Sequence, residues 1–413
     1  MNIAWISLAA LLIAVTLSMV TKMNVGVVSL AFAWIVGVYL GGLPLNTVIA
    51  GFPVQLFLTL AGVTLLFGMA HNNGTLERLA VRAVRLCRGN AGILPVMFFF
   101  VALALSTIGP GNIATAALLA PMAMAIGARA LVPPFLMILM VGNGAQAGAL
   151  SPFAPTGVIV NGIMARIGLP GVEWQTYLNN MFAHMVVTFT AYILFGGWRL
   201  FRRHSPETAG AEVVAPEPLE GRHWLTLAVL TSLVLVVIAF DMQVGMAALT
   251  GATILSLAGA ADEKETIKRM PWNVVLMVCG VTVLIGVLER TQGMALFTDL
   301  LARVSTPATV TAVIAFVTGI VSVYSSTSGV VLPAFLPTVP GLVERLGGGD
   351  ALAIASSMNV GGHLVDLSPL STIGALCLAA LPATTDARVV FNQLLAWGLS
   401  MTVVGALICW VLF

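Results

Sequence analysis

The sequence predicts an all-α polytopic membrane protein made of two inverted repeats, each with five transmembrane helices and one re-entrant hairpin. Composition, the succession of apolar runs and a pattern recurring down the chain carry that prediction. Of 413 residues 59% are hydrophobic and only 8% charged, where a soluble chain carries about a quarter charged residues. Crossing ~30 Å of hydrocarbon takes roughly 20 apolar residues in a helix, and such runs recur from end to end. The alternating ~10-residue pattern of a transmembrane barrel does not occur.

The opening stretch, MNIAWISLAALLIAVTLSMV, lacks the basic start of a cleaved signal and reads as a first membrane helix, 3–20. Helices over 23–41 and 53–70 follow. Arg78, Arg82, Arg85 and Arg88 then lie along one side of an interfacial helix whose side chains snorkel. The apolar region 91–127 is interrupted by Gly, Pro and Ser, leaving arms of ~15–18 residues, short for a crossing. It reads as a re-entrant hairpin, tolerated at membrane depth where protein or a water-filled cavity covers it. Helices over 131–150 and 175–199 complete a first repeat, 1–200. A cytoplasmic linker, 201–222, contains the polar stretch PETAGAEVVAPEP. The second repeat, 223–413, holds helices over 223–240, 244–260, 272–288, 351–365 and 389–413, with a hairpin at 307–343.

Charge orients this layout. With the arginine stretch in the cytoplasm, Lys22, Arg129, Arg199, Arg202, Arg203, Arg222, Lys264, Lys268, Arg269 and Arg388 also fall inside. That sets fourteen basic residues inside against four outside, namely Arg166, Arg290, Arg303 and Arg345. Both termini then lie outside.

Three matches relate the halves. LAGVTLLFG (Leu60–Gly68) pairs with VCGVTVLIG (Val278–Gly286) at a shift of 218, Asn143 with Asn359 at 216, and SPFAPTG (Ser151–Gly157) with SPLSTIG (Ser368–Gly374) at 217. The first hairpin enters from the cytoplasm and the second from outside, so the repeats are inverted. Inverted repeats with interrupted helices are the pattern of a secondary transporter, whose site lies at mid-membrane between them.

Four segments are expected to converge there: the hairpin turns STIGPGNIATAALLAP and SVYSSTSGVVLPAFLP, and the broken helices VGNGAQAGALSPFAPTG and MNVGGHLVDLSPLSTIG. Asn112 and Thr115 in one turn, and Ser325, Ser326, Thr327 and Ser328 in the other, are N-cap types before apolar arms. The N–H groups and partial positive charge of two helix starts suit two carboxylates. Unwound carbonyls at the breaks, marked by Ser151, Pro152, Ser368 and Pro369, together with Asn143 and Asn359, offer oxygen ligands to Na⁺. The bland alternative is that these small residues only permit close helix packing.

At these residues the chain resembles the ion-transporter superfamily, in particular the divalent-anion/sodium symporters and the related malonate/dicarboxylate carriers. GNIATAALLAP and LSPFAPTG carry most of the likeness to the dicarboxylate carriers. The resemblance implies a homodimer with a scaffold and a mobile part moving by an elevator mechanism. It also implies a dicarboxylate held by two Ser-Asn-Thr hairpin tips with sodium beside them. Here the first tip reads Gly111-Asn112-Ile113, and the second Ser325-Ser326-Thr327, with serine in place of asparagine.

His363 and Asp366, three apart in an apolar stretch, are expected on one helix face, able to pair. An ionisable residue at mid-membrane is a functional hypothesis by default. Three readings stand: Asp366 as cation ligand or proton carrier tuned by His363, the pair as a structural lock, or Asp366 in a wet vestibule. Their first-repeat counterparts, Ala147 and Leu150 at a shift of 216 with Gln146 and Gly148 beside them, are uncharged. His184 is expected to bond a neighbouring helix.

The expected function is secondary active transport of a small dicarboxylate, malonate or a four-carbon acid, coupled to Na⁺ or H⁺ across the inner (plasma) membrane. The partners are the substrate, the bilayer and a second copy, with no nucleic acid. A cation/proton antiporter or an oxyanion exporter is the alternative within the superfamily. An enzyme is not expected: no HExxH, GxSxG or GxxxxGK[ST] occurs, and the four cysteines form no CxxC pair. No cofactor is implied beyond sodium as a coupling ion.

Overall fold

The computed structural model describes residues 2–21, 23–84, 90–202, 218–240 and 242–413. Lys22, Arg85, Cys87, Arg88, Arg203 and the linker residues 206–217 lie outside the described residues. The described chain is helical, without strands.

The first half runs α1 (Ile3–Val20), α2 (Val25–Trp34, continued by a π-turn at Ile35–Leu40), α3 (Val54–Asn72), α4 (Thr75–Val84), α5 (Ile93–Ile108), α6 (Gly111–Arg129), α7 (Pro134–Ala147), α8 (Pro155–Arg166) and α9 (Glu173–Leu194). The second half repeats the order: α10 (Gly221–Phe240), α11 (Val244–Leu257), α12 (Trp272–Arg290), α13 (Gly293–Arg303), α14 (Val310–Tyr324), a broken arm ending in α15 (Val339–Arg345), α16 (Ala351–Leu364), α17 (Thr372–Ala379) and α18 (Ala387–Leu412). Side-chain caps start several of them. Asn2, Asn24, Gln243, Asp350 and Asp386 each accept from a first-turn N–H.

Some elements depart from the expected spans. Four helical stretches are long and apolar enough to cross a membrane by themselves: Leu45–Asn72, Gly111–Arg129, Trp272–Arg290 and Ala387–Leu412. Thus α6, expected to be a short hairpin arm, has 19 residues. Its counterpart is broken into Thr327–Val331, Leu332–Phe335, Leu336–Thr338 and α15. Pro333, Pro337 and Pro340 explain the difference, since each removes a backbone donor and crowds the preceding turn. The expected helices 131–150 and 351–365 shorten to α7 and α16, 14 residues each. The span expected over 175–199 stops at Leu194, before Gly196 at φ +79°.

Two groups of helices form. In the first, α2 packs on α12 and α11 on α3, each crossing joining the two halves. Glycines make both contacts possible. A Cβ on Gly26 would lie 2.1 Å from the Leu276 carbonyl oxygen, and one on Gly280 would lie 2.2 Å from that of Gly26. The other crossing repeats the device. A Cβ on Gly62 would meet the Gly245 oxygen at 2.3 Å, and one on Gly245 the Thr59 Cα at 2.4 Å. In the second group α5 packs on α7 and α14 on α16. Gly144 and Gly361, 217 residues apart, permit these approaches, their Cβ positions lying 2.4 Å from the carbonyls of Phe99 and Ala315. Then α17 crosses to lie on α6, while α8 reaches the broken arm.

Large apolar side chains also cover the outside, with Leu257 85% and Val403 52% exposed. A continuous apolar exterior of this kind is solvated by lipid. The chain is an integral membrane protein.

Candidate functional site

The first hairpin turns on Gly109-Pro110-Gly111, with φ +144° at Gly109 and +75° at Gly111. These are backbone states that glycine adopts without strain. The close turn points the start of α6 into a cavity of about 380 Å³. Gly109 to Thr115 line it from α6, Pro155 and Thr156 from α8, and Ser328 from the second hairpin. Its wall also includes the end of α3 (His71, Asn72), the short helix Glu263–Arg269, and Leu105, Val274 and Leu376 from α5, α12 and α17. Both hairpin tips therefore contribute to one space.

Asn112 is not the helix cap expected of it. Pro110 holds that position, and Asn112 sits in the first turn of α6 with its side chain turned inward. Its Nδ2 donates to Gln146 Oε1 at 2.8 Å, and its Oδ1 accepts from the Thr156 hydroxyl at 3.3 Å. Gln146 Nε2 in turn donates to Asp366 Oδ2 at 2.6 Å. The Asp366 carboxylate, 7% exposed, also faces the hydroxyls of Thr327 and Ser371. A buried chain Thr156–Asn112–Gln146–Asp366 thus runs from the cavity wall across both halves. Thr115 is buried with a hydroxyl that has no partner among the described residues.

The second tip divides its residues. Ser326 caps the turn Thr327–Val331, accepting from Gly329 N at 3.2 Å, as its residue type predicts. Thr327 is buried, donates to the Gly362 carbonyl at 3.3 Å and pairs with Ser322 at 2.9 Å. Ser325 is extended and half-buried. Of the four, only Ser328 reaches the cavity.

The SPxxxxG repeats have a backbone reason. A Cβ on Gly157 would lie 1.9 Å from the Ser151 carbonyl oxygen, and one on Gly374 would lie 2.0 Å from that of Ser368. In each half the second helix of the broken pair folds back on the carbonyl that begins the motif. The freed carbonyls are engaged locally. Ser151 O accepts from Ala154 N, His363 O from Asp366 N, and Ser368 O from Ser371 N. Ser151 Oγ donates to Thr107 O at 2.6 Å, tying the break to the first hairpin.

His363 and Asp366 do not pair, contrary to expectation. The helix α16 ends at Leu364, so Asp366 lies in the following turn rather than one helical step along the face. His363 Nδ1 bonds the Asn359 carbonyl of its own helix at 2.8 Å. His184 Nδ1 likewise bonds Asn180 O in its own helix at 2.9 Å, and its ring also lies beside the His363 backbone of the neighbouring α16. Asn143 and Asn359 are buried inside α7 and α16, away from the cavity wall, and Asn143 Nδ2 donates to Leu139 O at 3.0 Å. Gln146 is the residue that sequence reasoning passed over. Its signal was the shift of 217 that aligns the two SPxxxxG motifs, which sets Gln146 opposite His363.

A second hollow, about 1130 Å³, opens between α8, the 45–59 region and α12, with Arg166, Glu173, Glu289 and Arg290 along it. Residues 54–59 of α3 and 282–290 of α12 line this hollow, whereas Thr64 to Asn72 of α3 and Val274 of α12 line the first, so the two cavities lie toward opposite ends of these helices.

Known proteins bear on this arrangement in three ways. No curated protein matches the chain. The structure of the YdaH transporter of Alcanivorax borkumensis, described as having an unusual topology, superposes with a TM-score of 0.58 at 17% identity. That match covers 88% of this chain and 87% of the other, so the two share a fold. Residues 1–149 match the family model described as dicarboxylate carrier protein MatC N-terminus, a stretch that contains GNIATAALLAP but not SPFAPTG. Over those residues the chain is similar to the dicarboxylate carriers its motifs resemble.

Proposed function

We propose that the chain is a secondary active transporter of a small dicarboxylate, malonate or a four-carbon acid, coupled to a cation gradient across the inner (plasma) membrane. The observation that carries this reading is the 380 Å³ cavity reached by both hairpin tips, with the Asp366 carboxylate two hydrogen bonds behind its wall. The volume sits at the small end of the range for ligand pockets. The start of α6 and the Thr115 hydroxyl, which has no partner among the described residues, line it, a setting suited to an anion. Asp366 stands back from the cavity, so its charge serves a coupling cation rather than contacting a dianion.

The packing suggests how substrate would move. The glycine crossings lock α2, α3, α11 and α12 of both halves together as a scaffold. The site belongs to the other group, α5–α9 and α14–α18. Rigid movement of that group against the scaffold, as two inverted repeats acting as an elevator, would carry the cavity from one face to the other. The scaffold would supply the contact between two copies.

The test is uptake of labelled malonate into liposomes containing the purified protein, under an inward proton gradient and, separately, an inward Na⁺ gradient. Accumulation under either supports the reading and identifies the ion. If neither gradient moves malonate or succinate and neither acid binds, the dicarboxylate assignment falls. Cation/proton exchange at Asp366 is then the next reading, since a buried carboxylate in a neutral network also suits an antiporter.

A further inference from the structure

We infer that Gln146 is a positioning residue whose side-chain amide passes the charge state of Asp366 to Asn112, setting whether the cavity wall offers a dicarboxylate acceptors or donors. The inference rests on the transporter reading above and deepens it.

The orientation of the chain follows from donor and acceptor chemistry. An ionised carboxylate only accepts hydrogen bonds, and a glutamine amide has one donating and one accepting end. With Asp366 ionised, Gln146 must present Nε2 to it, at 2.6 Å. That leaves Oε1 for Asn112, which answers with Nδ2 at 2.8 Å. Asn112 Oδ1 is then turned to the Thr156 hydroxyl, at 3.3 Å. Thr156 spends its only proton on that bond. The wall around Asn112 and Thr156 then faces the cavity with oxygen lone pairs, which repel a carboxylate.

Protonation reverses every link. A proton taken from water onto Asp366 Oδ2 makes that oxygen a donor facing the donor Nε2. Rotating the Gln146 amide by half a turn restores the bond, with Oε1 accepting from Asp366. Nε2 now faces Asn112, whose amide rotates in turn to accept through Oδ1. Asn112 Nδ2 then points to Thr156, which accepts from it and frees its hydroxyl proton for the cavity. No hydrogen bond is lost in the exchange, so neither orientation leaves a buried polar group unpaired. The wall now offers an N–H and an O–H to the substrate. One proton bound thus favours one dianion bound, which is symport stoichiometry set by two amide rotations.

The partners of the Asp366 carboxylate are the neutral Gln146, Thr327 and Ser371. On the elements packed around it Cys377 of α17 is a fully buried thiol, Tyr177 and Tyr192 of α9 are buried phenols, and the fully buried imidazoles are His363 in α16 and His184 in α9. Each holds a carbonyl of its own helix through Nδ1.

The test is binding of malonate and succinate to the purified full-length protein from pH 5 to 8.5. The wild type, Gln146→Met and Asp366→Asn are compared, with a melting temperature for each. For the wild type, affinity should rise about tenfold per pH unit on acidification over the titration of Asp366, as one linked proton requires. Gln146→Met should bind with less than about twofold change per pH unit, because methionine cannot carry the polarity of one end to the other. An asparagine at 366 offers either end of its amide, so Asp366→Asn should bind at every pH as tightly as the wild type does in acid. It decides the matter alone if Gln146→Met fails to fold. Wild-type binding without pH dependence, a full pH slope in Gln146→Met, or weak binding by Asp366→Asn would each overturn the relay while leaving the dicarboxylate reading intact. Absence of wild-type binding at every pH would overturn both.

Discussion

Asp366 is a carboxylate in the interior of an apolar protein, held by the neutral amide of Gln146 with the hydroxyls of Thr327 and Ser371 beside it. An uncompensated charge in such a place is expensive, so a neutral, protonated state is within reach. Replacing it with asparagine keeps the shape and the hydrogen bond to Gln146 but removes the titration. We expect Asp366→Asn liposomes to exchange internal for external malonate at rates within about threefold of wild type, while accumulation driven by a pH gradient is abolished. Retained gradient-driven accumulation would exclude Asp366 as the proton carrier. A second residue-scale expectation concerns Gly157, where a Cβ would sit 1.9 Å from a carbonyl oxygen. Gly157→Ala should lower stability by roughly 2 kcal/mol or more, read as a drop in melting temperature in detergent. Gly162→Ala, one turn further along α8 with nothing within 4 Å, should leave it unchanged. At this scale the sequence was informative about type and poor about partners. His363 and Asp366 stood out because charge is rare in this chain, yet the group that holds Asp366 comes from the other half and is neutral. Asn112 looked like a cap because asparagine caps helices, but Pro110 takes that position and frees the amide for Gln146.

The helices and their order were largely legible, because a run of apolar residues bounded by caps and breakers reads the same in one dimension as in three. The recurrence of α1–α9 in α10–α18 follows from the motif matches, and the glycines of those motifs turn out to sit at contacts. Gly62 in LAGVTLLFG and Gly280 in VCGVTVLIG each face a helix from the opposite half so closely that a Cβ there would lie under 2.5 Å from its backbone. Lengths were less legible, since hydropathy does not register where a turn folds back. The 14-residue α7 and α16 end where their chains bend onto the site. The three prolines that divide the second arm were visible, but their effect depends on which carbonyls they leave without donors. The crossing glycines give a prediction for the scaffold. Gly280→Val should force α2 and α12 apart, lowering the melting temperature by several degrees and the yield of folded protein. Gly286→Ala, in the same helix with nothing within 4 Å, should do neither. If Gly280→Val melts like wild type, the two halves are not locked by this crossing.

For the molecule as a whole, the direction in which the 380 Å³ cavity opens is decided by which end of the bundle faces the cytoplasm. Asn72 Nδ2 donates to Thr266 Oγ1 at 3.0 Å, tying the end of α3 to the basic helix Glu263–Arg269 at the cavity mouth. At the other end, Thr291 Oγ1 donates to Ser7 Oγ at 2.8 Å, and Arg345 pairs with Asp299. The positive-inside rule predicts that the first end, with Lys264, Lys268 and Arg269, faces the cytoplasm, and on that expectation the cavity opens inward. Cysteine labelling in intact cells checks the assignment. The native thiols Cys279, Cys377 and Cys409 are buried and should react slowly, and Cys87→Ser removes the fourth. In that background a cysteine replacing exposed Lys264 should react with a membrane-impermeant maleimide only after the cells are opened. One replacing exposed Ala308, which lies beside the end of α18 through the bond from Trp410 Nε1 at 3.1 Å, should react from outside. The converse pattern would turn the molecule over, placing the hairpin cavity on the outer face and making this the substrate-receiving conformation of an importer.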